Sequence, residues 1–310
     1  MQVISASEIQ SVLNWDVVID ALTAFHLGPR PIGDSFFLGH GDYGLLSRGV
    51  ILPGAGAGLK IASMHAGNSR RQPPRPVEDA AFIVMDEATG GLQAILDGPE
   101  ITRWKTAADS ALAARRLSRA DSAVLLVLGA GPVAAALVEA YLHVRPSIRH
   151  VLLWNRTLSK LDPMVSGLSG RHIEVEVVED LAAAIARADI IATATSTAKP
   201  LIEGRYVKPG THIDLVGGYR LDMQEADIDL MRGARIFVDD RSTAYVSGDI
   251  HIPLSTGAIG ESQIEGDLYE LCQSQGFSRL PDEITVYKNA GGAHLDLIVS
   301  RTVIERLMQR

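Results

Sequence analysis

"AVLLVLGAGPVAAALVEAYL", residues 123–142, is nearly all apolar over the length of a membrane span, and its reading decides the fold. A Gly-Ala-Gly-Pro turn at 129–132 interrupts it, and Glu139 follows. An apolar strand running through a glycine turn into a buried helix accounts for this better than a membrane helix does. Gly129, Gly131 and Ala134 have the Gly-x-Gly-x-x-Ala spacing that lets backbone N–H groups approach a pyrophosphate at a helix N-terminus, and Pro132 suits the first helical turn. A glycine turn alone is weak evidence. Here it opens a region in which strand and helix patterns alternate, which is the context that dinucleotide binding requires.

That region begins near 121. Its strand candidates are "AVLLVLG", "HVLLWN", "IEVEVV", "DIIATAT", "HIDLVGG", "RIFVDD" and "ITVYKN", with helical patterns between several of them, such as 132–145 and 180–187. Such alternation predicts a Rossmann-type, doubly wound parallel sheet over residues 119–290. The second strand ends "VLLWNRT", and Asn155 lies 26 residues after Gly129. An NAD-selective site keeps an acid near here for the ribose 2′-hydroxyl. No acid stands there. Asn155, Arg156 and Thr157 suit a 2′-phosphate instead, with Arg156 supplying charge and a planar face. NADPH is therefore the expected cofactor, with NADH the other candidate. "ATST", 194–197, ends the fourth strand and is expected to flank the nicotinamide half.

Around this region the pattern differs. Residues 7–26 read as one helix, and 43–97 alternate short apolar runs with Gly and Pro, as an antiparallel sheet does. Thr102 reads as the N-cap of the helix "RWKTAADSALAARRLSR". "LDLIVSRTVIERLMQR" is amphipathic and is expected to return to the first domain. The expected class is thus α/β: a Rossmann domain, 119–290, inserted in a mixed α+β domain made from 1–118 and 291–310.

Composition narrows the function. The 310 residues are 46% hydrophobic and 21% charged, with a net charge of −8. That field disfavours nucleic acid and anionic lipid as partners, while local cations still allow a small anionic substrate. A single cysteine, Cys272, and the absence of a leader-like N-terminal pattern point to a cytoplasmic setting. No HExxH, paired CxxC or Gly-x-Ser-x-Gly pattern occurs, so no metal is expected.

Three cations stand where an anion clamp needs them. Arg48 precedes "GVILP", Lys60 interrupts the apolar strand "GLKIAS", and Lys105 lies near the start of a small-residue helix, where the helix dipole would assist it. Lone cations are ordinarily solvated. Lys60 departs most from that, since Leu59 and Ile61 share the opposite face. His65 and His294 sit in apolar segments, where histidines are more often structural than catalytic. "HAGNSRRQPPRP", 65–76, reads as an exposed or lid-like loop.

Taken together, "GLKIASMHAGN", "VMDEATGGLQAILDG", "ITRWKTAADSALAARRLSRAD", "VLGAGPVA", "LLWNRT", "DLVGGYRLDMQEAD" and "VYKNAGGAHLDL" resemble the ornithine cyclodeaminase and mu-crystallin family over almost the whole chain. The resemblance implies a substrate-binding, homodimerising domain built from both chain ends. It implies that Arg48, Lys60 and Lys105 hold a substrate carboxylate, with His294 beside it. The family usually has arginine where Lys105 stands, so a fork becomes a point charge. On the cofactor side it implies Thr106, the turn Gly129, Ala130, Gly131, Pro132 and Val133, and the strand end Asn155, Arg156 and Thr157. It further implies Thr195, Ser196 and Thr197, then Val216 and Gly217, and finally Lys288 and Gly291.

Cyclodeaminases carry a catalytic aspartate after the "VG" turn, and here Tyr219 stands in that place. A phenol is a poor base at neutral pH. The resemblance is therefore nearest the imine-reductase branch, with Lys60 and Tyr219 in catalytic roles. It implies NADPH-dependent reduction of a cyclic 2-imino acid, Δ1-pyrroline-2-carboxylate or Δ1-piperideine-2-carboxylate, to L-proline or L-pipecolate. The alternatives are ornithine cyclodeamination, an alanine dehydrogenase-like reaction, and ligand binding like that of mu-crystallin.

Overall fold

The computed structural model describes residues 1–310 apart from Pro74, Gln275 and Gly276, with Ser69 described through its backbone alone. The chain divides into two units, Met1–Thr106 with Gly292–Arg310, and Ala107–Gly291.

In the first unit β1 (Gln2–Ile4) is followed by α1 (Ala6–Val12) and α2 (Trp15–His26). The single helix expected over 7–26 is thus two. Leu13 is extended, and the Asn14 side chain accepts from Val17 N at 2.9 Å, so an N-cap inside the apolar pattern starts a second helix. Five further strands follow: β2 (Ile32–His40), β3 (Tyr43–Leu52), β4 (Gly56–His65), β5 (Glu78–Met85) and β6 (Leu92–Asp97). Among the described residues they form one sheet in the order β1-β6-β5-β4-β3-β2, antiparallel except for the β1–β6 pair. β2 escaped the sequence reading because "IGDSFFLGH" has no clean alternation.

Arg48 lies inside β3, not before a strand, and pairs across the ladder with Lys60, which pairs with Phe82, which pairs with Leu96. These four side chains share one face of the sheet. Lys60 is buried on it while Ile61 turns outward and is exposed, as the strand period requires.

The helix after β6 is α3 (Gly98–Leu117). Thr102 is therefore interior to it and is not its N-cap. The first turn is held by Asp97, whose carboxylate accepts from Glu100 N at 2.8 Å. Lys105 consequently sits two turns in, beyond the reach of the helix dipole assigned to it. The unit boundary falls within α3 because residues C-terminal to it bond the second unit: the Tyr287 hydroxyl donates to Asp109 and the Asn289 amide to Ser110.

The second unit contains β7 (Val124–Leu128), α4 (Pro132–Val144), β8 (His150–Trp154), α5 (Asp162–Leu168), β9 (Glu174–Val177), α6 (Leu181–Arg187) and β10 (Ile190–Thr193). β11 (His212–Leu215), α7 (Ile228–Gly233), β12 (Arg235–Val238), α8 (Arg241–Ala244), α9 (Gly248–Ser255), β13 (Ile264–Asp267), α10 (Leu268–Gln273) and β14 (Thr285–Lys288) complete it. Among the described residues all its strand pairs are parallel, in the order β13-β12-β14-β11-β10-β7-β8-β9. This is the doubly wound, Rossmann-type sheet. Its central strands are buried on both faces, so they read as unbroken apolar runs. β13, "IEGD", is too short and polar to be legible in sequence. The strand order reverses between β7 and β10, so the crevice at their C-terminal ends is the switch point where such sheets take ligands.

The chain closes with α11 (Ala293–Met308), which returns to the first unit and packs on β3, β4, β5 and α2. Among the described residues no helix is long and apolar enough to cross a membrane.

Candidate active site

In the second unit, Gly129 follows β7 with φ +123°, and a Cβ there would come within 2.6 Å of the Ala194 carbonyl. Only glycine allows this approach of the β7 turn to the end of β10 across the switch point. Gly131 caps the 13-residue helix α4 without a side-chain bond, Pro132 takes its first position, and both are exposed. The first-turn N–H groups thus open onto solvent at a helix N-terminus with space around Gly131, and these residues fit a pyrophosphate. Ala130 and Val133 flank the turn and are half-buried. At the end of β8 the Asn155 amide donates to the Thr157 carbonyl at 2.7 Å, and Arg156 and Thr157 are exposed.

The ends of β10 and β11 are tied together beneath the surface. Fully buried Glu225 accepts at Oε1 from Thr195 N at 2.9 Å and Thr195 Oγ1 at 2.6 Å. At Oε2 it accepts from Thr193 Oγ1 at 2.7 Å and Gly217 N at 2.5 Å. Its own N–H donates to Asp249, whose other oxygen accepts from Lys288 Nζ at 3.1 Å. Burial and the Asp249 charge raise the pKa of Glu225, against Lys288 and the threonine donors. Nearby Asp214, in β11, is lifted by burial to about 7, against the Ser110 and Tyr141 hydroxyls.

Lys288 is thus wholly buried and ion-paired, and Val216 and Gly217 sit at the tied turn. Ser196 is exposed, Thr197 half-buried and Gly291 buried, with its N–H donated to Asp239. Tyr219 is 49% exposed, its N–H closing the turn onto Gly217 O at 2.7 Å.

The first unit brings its three cations together. Buried Lys60 donates to Thr102 Oγ1 at 2.8 Å and to Asp296 Oδ1 at 3.3 Å. Buried Lys105 lies 3.8 Å from the other Asp296 oxygen. Burial alone would raise the Asp296 carboxyl, but Lys60, Lys105 and Arg48 bring it below the usual range. The result is a charged site inside an apolar sandwich, with two ammoniums about one carboxylate. Thr106 is buried one residue beyond Lys105.

His294 is buried near Asp296 in the first turns of α11 and meets His26 edge-on at 5.5 Å. His65 ends β4 beside Tyr43. The stretch from 65 begins as a 3-10 turn, Ala66–Arg70, pinned by Arg70 to Asp42 at 2.9 Å, and most of its described remainder is exposed. Its Pro74 lies outside the described residues.

Asp296 and Glu225 were missed by the sequence reading. They lie in "VYKNAGGAHLDL" and "DLVGGYRLDMQEAD", but an acid in a helix or turn carries no signal of what faces it. No group of three or more metal-binding side chains occurs among the described residues.

A glycine turn at the switch point of a doubly wound sheet, on a chain that also forms a mixed sheet with buried lysines, defines a Rossmann-type enzyme with a second unit of mixed sheet. A model of the ornithine cyclodeaminase/mu-crystallin family matches residues 52–310, and the chain belongs to that family. It is 41% identical over 309 residues to a Delta(1)-pyrroline-2-carboxylate reductase of Paracoccus denitrificans (strain Pd 1222), covering 99% of this chain and 97% of the relative. The solved Delta(1)-pyrroline-2-carboxylate reductase of Thermococcus litoralis, in complex with NADH and L-proline, superposes with a TM-score of 0.92. It shares 26% identity and covers 100% of this chain and 98% of its own. An archaeal alanine dehydrogenase dimer with bound NAD superposes with a TM-score of 0.91 at 27% identity, covering 99% and 96%.

Proposed function

We propose that the protein reduces a cyclic 2-imino acid, Δ1-pyrroline-2-carboxylate or its six-membered homologue, to L-proline or L-pipecolate. The observation that carries this reading is Lys60: an ammonium held inside an apolar sheet, opposite Arg48 and sharing Asp296 with Lys105. A buried cation cluster of this kind suits a substrate carboxylate. The relatives named above support the reaction class.

The first unit is the substrate-binding domain, where Lys60, Arg48 and Lys105 hold the carboxylate and His294 borders it. The second is the cofactor domain, where the α4 N-terminus takes the pyrophosphate and the turns at Thr195–Thr197 and Val216–Gly217 border the nicotinamide half. A bound nicotinamide supplies the hydride that reduces the imine carbon. Lys60 orients the substrate through its carboxylate, and the Tyr219 hydroxyl donates a hydrogen bond toward the imine nitrogen or its bound water. With no carboxylate at 219, ornithine deamination lacks its acid. NADPH is preferred over NADH because Arg156 is exposed at the end of β8 with no acid beside Asn155.

The protein acts as a homodimer in the cytoplasm. The dimer is supported by the sheet face opposite Lys60, which presents Ile32 (70% exposed), Phe36 (54%), Leu38 (61%) and Ile51 (56%) on neighbouring strands. An open apolar face of this kind marks an association surface. A monomer in sedimentation at micromolar concentration would remove this part of the proposal.

The deciding assay follows NADPH and NADH oxidation with each cyclic imine, with pyruvate plus ammonia, and with ornithine. The expected result is turnover with a cyclic imine that exceeds the other two. Faster turnover of pyruvate plus ammonia would favour the alanine dehydrogenase reading, which the second structural likeness keeps in view.

A further inference from the structure

We propose that Glu225 is the positioning residue for the cofactor end of the site, setting the spacing of the two turns that border the nicotinamide half. This rests on the cofactor reading above. Four donors from three residues converge on one carboxylate: Thr193 Oγ1, Thr195 N, Thr195 Oγ1 and Gly217 N. Thr193 ends β10, Thr195 lies two residues beyond it, and Gly217 lies two residues beyond the end of β11. A side chain from a later segment therefore holds two adjacent strand ends at a fixed separation.

Glu225 is itself fixed at every polar atom. Its N–H donates to Asp249, and its carbonyl accepts from Leu201 N at 2.8 Å and Ile202 N at 3.0 Å. Gly217 has no room for a side chain, since a Cβ there would strike both the Thr195 carbonyl and the Glu225 carboxylate, so the two turns meet in close contact.

The clamp also reaches the phosphate turn. Ala194, next to Thr195, donates its N–H to the Leu128 carbonyl at 2.8 Å, and its own carbonyl lies against Gly129. A shift of Thr195 therefore moves Ala194, and Ala194 is in contact with the turn proposed for the pyrophosphate. Burying a carboxylate is unfavourable unless its lone pairs are met, and here four donors meet them. An amide in the same place can accept at only one of its two terminal atoms, so its nitrogen must face a donor pair.

The test compares the native chain with Glu225→Gln, which keeps the shape. Expected is a rise of about tenfold or more in KM for the cofactor, with KM for the cyclic imine at saturating cofactor within about threefold of native. Unchanged KM values with a kcat reduced in step with the folded fraction would assign Glu225 to folding alone and overturn the proposal. So would native cofactor affinity in the variant. If Glu225→Gln does not fold, Thr193→Val removes one donor at nearly constant volume. A rise of about twofold or more in cofactor KM then supports the proposal, and no rise overturns it. A native chain that binds neither NADH nor NADPH overturns the cofactor reading and this inference with it. A native chain that binds cofactor no better than Glu225→Gln overturns this inference alone.

Discussion

Lys60 and Asp296 are 236 residues apart in the chain and 3.3 Å apart in the fold, Nζ to Oδ1. One comes from the middle of a strand and the other from the first turns of the closing helix, so α11 supplies the counter-charge to a cation planted in the sheet. Lys105 shares the same carboxylate from a third element, α3. A buried charge is unfavourable without a partner, and the shared carboxylate, with the Thr102 hydroxyl, holds the Lys60 side chain in one place.

Replacing Lys60 with Met should lower kcat/KM for the cyclic imine by about ten- to a hundredfold, the range for losing a charged hydrogen bond. Cofactor affinity should change by no more than about twofold. Because Asp296 keeps Lys105, the protein should fold with a lowered thermal midpoint. Steady-state kinetics with each substrate varied, beside a melting curve, separate the roles. A lowered midpoint with native imine kinetics would make Lys60 a structural residue.

Arg156→Ala should raise KM for NADPH far more than KM for NADH, because only the 2′-phosphate needs the guanidinium. Losing one exposed charge-assisted contact corresponds to about a tenfold change or somewhat more for NADPH. Equal effects on the two nucleotides would sink the assignment of 2′-phosphate binding to this strand end.

Tyr219→Phe tests the hydroxyl while keeping the ring. Participation in proton delivery to the imine nitrogen should appear as a fall in kcat of roughly ten- to a thousandfold. A side chain that only shields the site should show little change. In the native protein, release of ammonia from ornithine at a rate comparable to imine reduction would contradict the role given to this turn.

Asp214→Asn should stabilise the protein in neutral solution. Burial raises the folded-state pKa of Asp214 from 3.8 to about 7, so the folded form keeps its proton where the unfolded chain has lost it. Its contribution is intact below the unfolded pKa and is lost as pH rises toward the folded one. The shift corresponds to a difference on the order of 4 kcal/mol above neutrality. Thermal midpoints of the two proteins should converge near about pH 4 and separate by about pH 8, with the variant higher. Parallel curves would mean that Asp214 does not titrate in this window.

What the sequence by itself determined were the features written in local pattern. Residues 123–142 specify strand, turn and helix because a parallel central strand is buried on both faces and reads as an unbroken apolar run, and because Gly129 and Pro132 punctuate it. Lys60 was legible as a cation on the buried face because strand side chains alternate with a period of two. The absence of an acid at Asn155–Thr157 and the phenol at 219 could be read from identity and order alone. Tertiary structure alone decided the partners. Thr102 reads as a cap but lies inside α3, because Asp97 supplies the start and the Lys60 ammonium claims the hydroxyl. The break at Asn14, the edge strand β2, the service of Asp296 to two lysines and the four-donor clamp on Glu225 all depend on long-range placement. An acidic side chain has the same local propensity whether it faces solvent, a lysine or four donors, and which of these it meets is set by how distant segments pack.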